Sequence, residues 1–169
     1  TRMCETGSGA WILGSHVTDW SKSPLESQQY LLRSEDKGKS WTLLPDQRPH
    51  GWSVPELKRM DEGRPIALGG GEVFFIARTP TGRIWTSRSL DDGRTGSDPE
   101  ASSLVHPDAP PMVFHLSDEK TLLTFFHNRH MNTQYTGLSG DMDGMQDRSE
   151  IWISLSTDGG RHWSEPRFL

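Results

Sequence analysis

Three times the chain writes Ser-x-Asp-x-Gly: SEDKGKSW at residues 34–41, SLDDGRTG at 89–96 and STDGGRHW at 156–163. The serines are 89 − 34 = 55 and 156 − 89 = 67 residues apart. A motif returning at that period implies one supersecondary unit repeated in series. Each copy follows a strand-like run, YLLR (30–33), IWTSR (84–88) or IWISL (151–155), with side chains that suit a pleated sheet. The Asp accepts bonds from the N–H groups of a turn and the Gly takes positive φ, so the motif reads as a hairpin turn. The Trp that closes two copies, Trp41 and Trp163, is expected to fold back into the core, largely buried. Gly96 leaves the middle copy without that anchor.

Each period then holds four strands, A to D. In the middle period these are RPIAL (64–68), EVFFIART (72–79), IWTSR and a weak fourth strand after the motif, with Gly69-Gly70-Gly71 turning A into B. The last period repeats the plan with PMVFHL, TLLTFFH and EIWISL. In the first, AWILGSHV is strand B and QQYLLRS strand C, with strand A near or before Thr1. The units run over about 1–55, 56–105 and 106–169. Four-stranded antiparallel units at this spacing are the blades of a β-propeller. The fold class is all-β, and about three blades are present.

Composition agrees. Hydrophobic residues make up 32 % of 169, with 17 Gly and 11 Pro, a mix for short strands and tight turns rather than long helices. A net charge of −5 argues against a nucleic-acid partner, which wants a basic face. No apolar run approaches the roughly 18 residues of a membrane span. Cys4 is the only cysteine, so an internal disulfide and a cysteine metal site are both excluded. The chain starts at Thr1 rather than Met, and with three blades it is expected to be a piece of a longer propeller.

By alternation of strand direction, the A–B and C–D turns share one end of each blade. The B–C loops and D-to-A crossings share the other, the mouth. Glu62 and Arg78 are equidistant from Gly70, since 70 − 62 = 8 and 78 − 70 = 8, so hairpin symmetry places them opposite each other at the mouth. Such a pair is either a polar site or a strand-end salt bridge. Arg148, just before strand C of the last unit, lies at the same end. Asn128 and Arg129, at the end of strand B, do too; Asn128 either bonds a ligand hydroxyl or closes the strand. Asp19 lies near another mouth loop. The long segment 130–147 contains DMDG, which starts like a calcium loop, but its twelfth position is Trp152 rather than an acid. His127-x-x-His130 lacks a third ligand and helical spacing. No metal or organic cofactor is expected.

The repeated motif resembles the Asp-box, or BNR repeat, of sialidases and their six-bladed propeller relatives. The resemblance implies a structural role for Ser34, Asp36, Gly38 and Trp41, for Ser89, Asp91 and Gly93, and for Ser156, Asp158, Gly160 and Trp163. Met60-Asp61-Glu62, a strand, a turn and a second strand ending in Arg78 resemble a stretch of bacterial sialidases. There the Glu is the base that activates a tyrosine nucleophile, and the Arg is one of three that grip the carboxylate of sialic acid. The resemblance thus implies Glu62 as catalytic and Arg78, Arg148, Arg129, Asn128 and Asp61 as substrate-binding. Arg148 is the closer match to a second arginine and Arg129 the runner-up. The chemistry suits the residue types: a guanidinium grips a carboxylate through two parallel hydrogen bonds, and a phenol needs a base to become reactive. The implied activity is that of a retaining exo-α-sialidase acting on sialylated or other acidic glycans, in a secreted or periplasmic setting. A non-catalytic BNR propeller and a same-fold enzyme for another acidic sugar stay open. The family's Phe/Tyr-Arg-Ile-Pro motif is absent, no Tyr follows Arg148, and Tyr30 and Tyr135 do not match the nucleophile in order. The 169 residues alone are expected to be inactive.

Overall fold

The structure is a computed structural model that describes residues 2–45, 51–55, 57–106, 108–118, 121–127, 148 and 150–169. Within them are twelve strands: β1 (Met3–Glu5), β2 (Trp11–Asp19), β3 (Glu26–Ser34), β4 (Thr42–Leu44), β5 (Asp61–Gly69), β6 (Glu72–Arg78), β7 (Arg83–Ser89), β8 (Glu100–Val105), β9 (Met112–His115), β10 (Leu122–His127), β11 (Ile151–Ser156) and β12 (Arg167–Phe168). They form three four-stranded antiparallel meanders, β1–β4, β5–β8 and β9–β12. The strand A sought near Thr1 is β1. No helix long and apolar enough to cross a membrane occurs among the described residues.

The units stack in series. The first strands of neighbouring units touch, β1 against β5 and β5 against β9. The repeat can be aligned on the motif serines, because Trp11 pairs with Ser34, Val73 with Ser89 and Leu122 with Ser156. Counting from those pairs, Ile12, Phe74 and Leu123 are equivalent. β6 is buried on both faces because a unit lies on each side of it. Phe75 and Ala77 join Ile12, Leu31 and Met60 in one core. Phe74 and Ile76 join Val113, Leu122 and Phe126 in the other. In β10, and in β2 from Trp11 to Gly14, burial alternates, one face packed and one half-open.

The three motif turns have one geometry. The serine hydroxyl donates to the Asp carboxylate at 2.8, 2.7 and 2.8 Å and accepts the N–H of the Gly at 2.8, 2.9 and 2.8 Å. The Asp accepts the N–H four residues on at 2.8, 2.9 and 2.9 Å. Each Gly has positive φ, 87° at Gly38, 74° at Gly93 and 85° at Gly160. The turns also join units. A Cβ at Gly93 would lie 2.6 Å from Ile12, and one at Gly160 would lie 2.6 Å from the ring of Phe74, each in the preceding unit. An arginine latch repeats beside them. Arg33 donates to the Asp92 carbonyl at 3.0 Å and Arg88 to the Gly159 carbonyl at 2.7 Å. Glu35 bridges Arg33 to Arg94, and Glu72 bridges Arg88 to Arg161.

The tryptophan expectation needs correction. Trp163 is half-buried, its ring centroid 6.3 Å from that of Phe74. Trp41 is 37 % exposed and bonds back to the Gly38 carbonyl at 3.1 Å. The difference is one of contacts: Trp163 packs on Phe74 of the preceding unit, whereas among the described residues Trp41 lies only against its own turn at Gly38. Nor is the space at Gly96 empty. Trp52 lies 3.2 Å from where a Cβ of Gly96 would be, its ring tilted 41° against that of Phe75 at a centroid distance of 5.9 Å. Trp163→Ala should therefore cost about 2–3 kcal/mol, below the loss for a fully buried aromatic, and Trp41→Ala under about 1 kcal/mol. Urea midpoints of the two variants check the order.

The turns should also give the fold an acid limit. The Ser40 hydroxyl and N–H, with the Ser34 hydroxyl, hold the Asp36 carboxyl down at about 2. Burial pushes the Asp91 carboxyl up, but the Thr95 N–H and hydroxyl and the Ser89 hydroxyl outweigh it and also hold it at about 2. A carboxyl depressed on folding stabilises the fold above its unfolded pKa, near 3.9, and that stability is lost as pH falls through the folded value. The urea midpoint should fall between about pH 4 and pH 2, and Asp91→Asn should flatten part of that slope.

Candidate functional site

Opposite the motif turns, the chain gathers ionic side chains where β5 begins and β6 ends. The register there departs from hairpin symmetry. Counting about Gly70 holds from Ala67↔Val73 to Arg64↔Ile76, but Arg78 pairs with Asp61, not Glu62. A bulge between Asp61 and Arg64 absorbs the extra residue, and Glu62 sits in it at φ 52°, a left-handed conformation costly for a side chain of its type. Two contacts hold the bulge. The Glu62 N–H donates to Nδ1 of His16 at 3.4 Å, and the Gly63 N–H donates to Oε1 of buried Gln29 at 2.7 Å. Gly63 is needed because a Cβ there would run into the ring of Phe75.

Bulging leaves the Glu62 side chain one-third exposed while its carboxylate meets Nη1 of Arg78 at 2.5 Å. Arg78 is nearly buried. Its Nε donates to the Asp108 carboxylate and lies 3.5 Å from Oδ1 of Asp61. Burial works to lower its pKa, but Asp108, Asp61 and Glu62 outweigh burial and raise it, so the guanidinium is permanently charged. Asp108, in the crossing from β8 to β9, is fully buried and also meets Nη1 of Arg59 at 2.7 Å. Arg59 donates through Nε to Asp61 at 3.1 Å, and the Ser27 hydroxyl donates to the same carboxylate at 3.2 Å. Arg148 reaches this knot through Nη2, which donates to the backbone carbonyl of Asp108 at 2.7 Å.

Glu62, Arg78, Asp61 and Arg148 thus share one network, with Asp108 at its centre. Asn128, Arg129 and segment 130–147 lie outside the described residues. Asp19 stands apart, on an open cleft of about 490 Å³ with Glu26, Gln28 and Lys58. The motif residues Asp36, Asp91 and Asp158 lie at the opposite end and take no part. Arg59, Asp108 and His16 were missed by sequence reasoning. Asp108 carried a usable signal, an acid in a D-to-A crossing; Arg59 and His16 carried none, because their relevance comes from contacts between strands. Among the described residues no group of three His, Cys, Asp or Glu is placed to hold a metal. What remains is a charged lattice that can present a fixed guanidinium and a partly exposed carboxylate to a ligand.

The sequence matches the BNR repeat-like domain over residues 4–169. No curated protein sequence matches it. Among solved structures, a protein of unknown function from Dyadobacter fermentans DSM 18053 is similar at 20 % identity and TM-score 0.62, over 95 % of this chain and 50 % of that one. The Hadza microbial sialidase Hz136 is similar at 18 % and TM-score 0.67, over 99 % of this chain and 29 % of that one. A leech intramolecular trans-sialidase, solved with 2,7-anhydro-Neu5Ac, is similar at 15 % and TM-score 0.58, over 99 % and 23 %. The chain spans half or less of the length of each of these structures.

Proposed function

We propose, for a chain that belongs to the BNR repeat-like domain family, a part in a six-bladed sialidase-type glycosidase that removes terminal sialic acid from glycoconjugates. In this reading the stretch supplies one side of the site. Arg78 and Arg148 grip the sugar carboxylate, and Glu62 takes the proton from a tyrosine phenol as its oxygen attacks the anomeric carbon. The phenol itself, and the acid that protonates the leaving oxygen, come from outside this stretch. The observation that carries the reading is the bulged Glu62 in left-handed backbone, 2.5 Å from Arg78. Strain of that kind gathers at functional positions, and a salt bridge alone does not require it.

One observation favours a second reading, a non-catalytic propeller that binds glycans or proteins. Arg59, Arg78 and Arg148 all already contact Asp108, as a purely structural knot would. Hydrolysis of a fluorogenic sialoside by the complete polypeptide separates the two. Under the enzymatic reading, Glu62→Gln should lower kcat by about 10²–10⁴-fold with little change in KM. Arg78→Ala should lower kcat/KM by about 10²–10³-fold. Wild-type turnover that survives both substitutions would leave the structural knot as the account of these residues.

A further inference from the structure

The two junctions between neighbouring units follow one plan and differ at one place. Counted from the motif serines, Leu31 and Thr86 are equivalent, as are Gly96 and Trp163. Leu31 pairs with Leu44, and Thr86 with Glu100. Between the first and second units, Leu31, Leu44, Gly93 and Gly96 border a slot that Trp52 fills, so that only about 10 Å³ is left. Between the second and third units the same place is an open groove of about 440 Å³, walled by Thr86, Arg88, Glu100, Ser102, Arg161 and Trp163. A hydroxyl and a carboxylate stand where the slot has two leucines. The crossing that brings Trp52 runs from Leu44 to Asp61, whereas the next runs only from Val105 to Met112, and none of its described residues lines the groove. Both walls and this crossing lie inside the chain, at the motif-turn end and away from Glu62.

We infer that this groove is a second glycan site, separate from the mouth, and that it seats one neutral sugar residue against Trp163. The inference does not rest on a catalytic role for Glu62. Its volume lies within the range of small-ligand clefts, roughly 300–1,000 Å³. The polar groups are fixed in advance. Arg88 donates to Glu72 at 2.6 Å and to the Gly159 carbonyl at 2.7 Å, and its guanidinium lies 4.8 Å from the centroid of the Phe74 ring. Arg161 donates to the same Glu72 at 2.9 Å and to the Asp158 carbonyl at 2.9 Å. Trp163 packs on Phe74 and lines the groove. Two arginines stand against Glu72 and Glu100, so the charges balance and the groove prefers neither an anion nor a cation. One aromatic wall and a rim of donors and acceptors suit a sugar ring, whose C–H face packs on an indole while its hydroxyls bond to the rim. A peptide strand added to β8 fits less well. Nη1 of Arg83 already donates to the carbonyls of Ser102 and Ser103 at 3.3 and 3.5 Å, and the register of β8 is broken between Arg83 and Trp85, features that blunt a sheet edge.

Titration of the full, isotope-labelled chain with lactose, followed by nuclear magnetic resonance, is the test; lactose is neutral and offers no carboxylate to the mouth. The expected result is a saturable shift of the Trp163 indole N–H and of the Thr86 and Ser102 amides, with a Kd of about 1 mM, the weak affinity of one small ligand in an open seat. Thr86→Leu combined with Glu100→Leu, the pair that borders the filled slot, should weaken binding at least about 10-fold with an unchanged far-ultraviolet circular dichroism spectrum. Glu62→Gln should leave binding unchanged, which separates this site from the one at the mouth. If the leucine pair unfolds the chain, Glu100→Gln replaces it, with a loss of about 3-fold expected from removal of a charged acceptor. No saturable shift at about 50 mM lactose, some fifty times the expected Kd, would overturn the inference. So would shifts confined to other residues, affinity unchanged in the groove variants, affinity lost in Glu62→Gln, or a response of these signals to N-acetylneuraminic acid but not to lactose.

Discussion

Replacing Arg78 by Ala should lower the stability of the chain by about 3–5 kcal/mol, the usual loss when one partner of a buried ion pair is removed. Arg78 is 7 % exposed, and Asp61 and Asp108, which it meets through Nε, are 5 % and 0 % exposed. Without the guanidinium, two buried carboxylates would depend on Arg59 for charge compensation. Arg78→Lys should recover only part of the loss, because an ammonium cannot hold Asp108 and Glu62 at once as the planar fork does. Asp108→Asn in the Arg78→Ala background should be less damaging than the sum of the single changes, since it removes one stranded charge. Glu62→Gln is the contrast: that side chain is one-third exposed, so its loss should cost under about 1 kcal/mol. Urea midpoints at constant m read these variants together with Asp108→Asn alone. A loss below about 1 kcal/mol for Arg78→Ala would mean that water reaches the knot and that the burial argument fails.

This contrast separates two jobs that the sequence could not tell apart. The repeat was legible because it is local: a serine, an aspartate and a glycine within five residues encode a turn, and the runs before it encode strands. From that the four-stranded units followed, and so did the end at which Glu62 and Arg78 lie. What was not legible depends on neighbours. The burial of Trp163 comes from Phe74 of the preceding unit, and the missing tryptophan at Gly96 is offset by Trp52 from a connection between units. The register at Glu62 slipped by one because a bulge is invisible to symmetric counting about a turn. Asp108 is remote in sequence from every residue it organises, 30 positions from Arg78 and 40 from Arg148. Counting along a hairpin finds partners on one sheet only, whereas this knot ties the first strand of the second unit to the crossing that leaves it.

The same bulge makes Gly14 a position that has no room for a side chain. β2 and β5 approach there backbone to backbone, and a Cβ on Gly14 would run into the carbonyl oxygen of Gly63 and lie 3.2 Å from Pro65. Neither obstacle is the far end of a flexible side chain, so the units themselves would have to part. Gly14→Ala should cost about 3 kcal/mol, the upper end for overpacking, even though φ at Gly14 lies outside the left-handed region. The effect should reach the site, because separating β2 from β5 also separates His16 from the Glu62 N–H and Gln29 from the Gly63 N–H. Gly7→Ala is the matched control, with nothing within 4 Å of its Cβ and an expected change within about 0.5 kcal/mol. Gly70→Ala is a second, with open space around its Cβ but φ 59°, so it should lose only the left-handed strain of about 1 kcal/mol. Urea midpoints rank the three, and amide exchange at Gly63 reports whether the bulge has opened. If Gly14→Ala matched Gly7→Ala in both measurements, the first two units would not be in backbone contact, and the strain at Glu62 would need another cause.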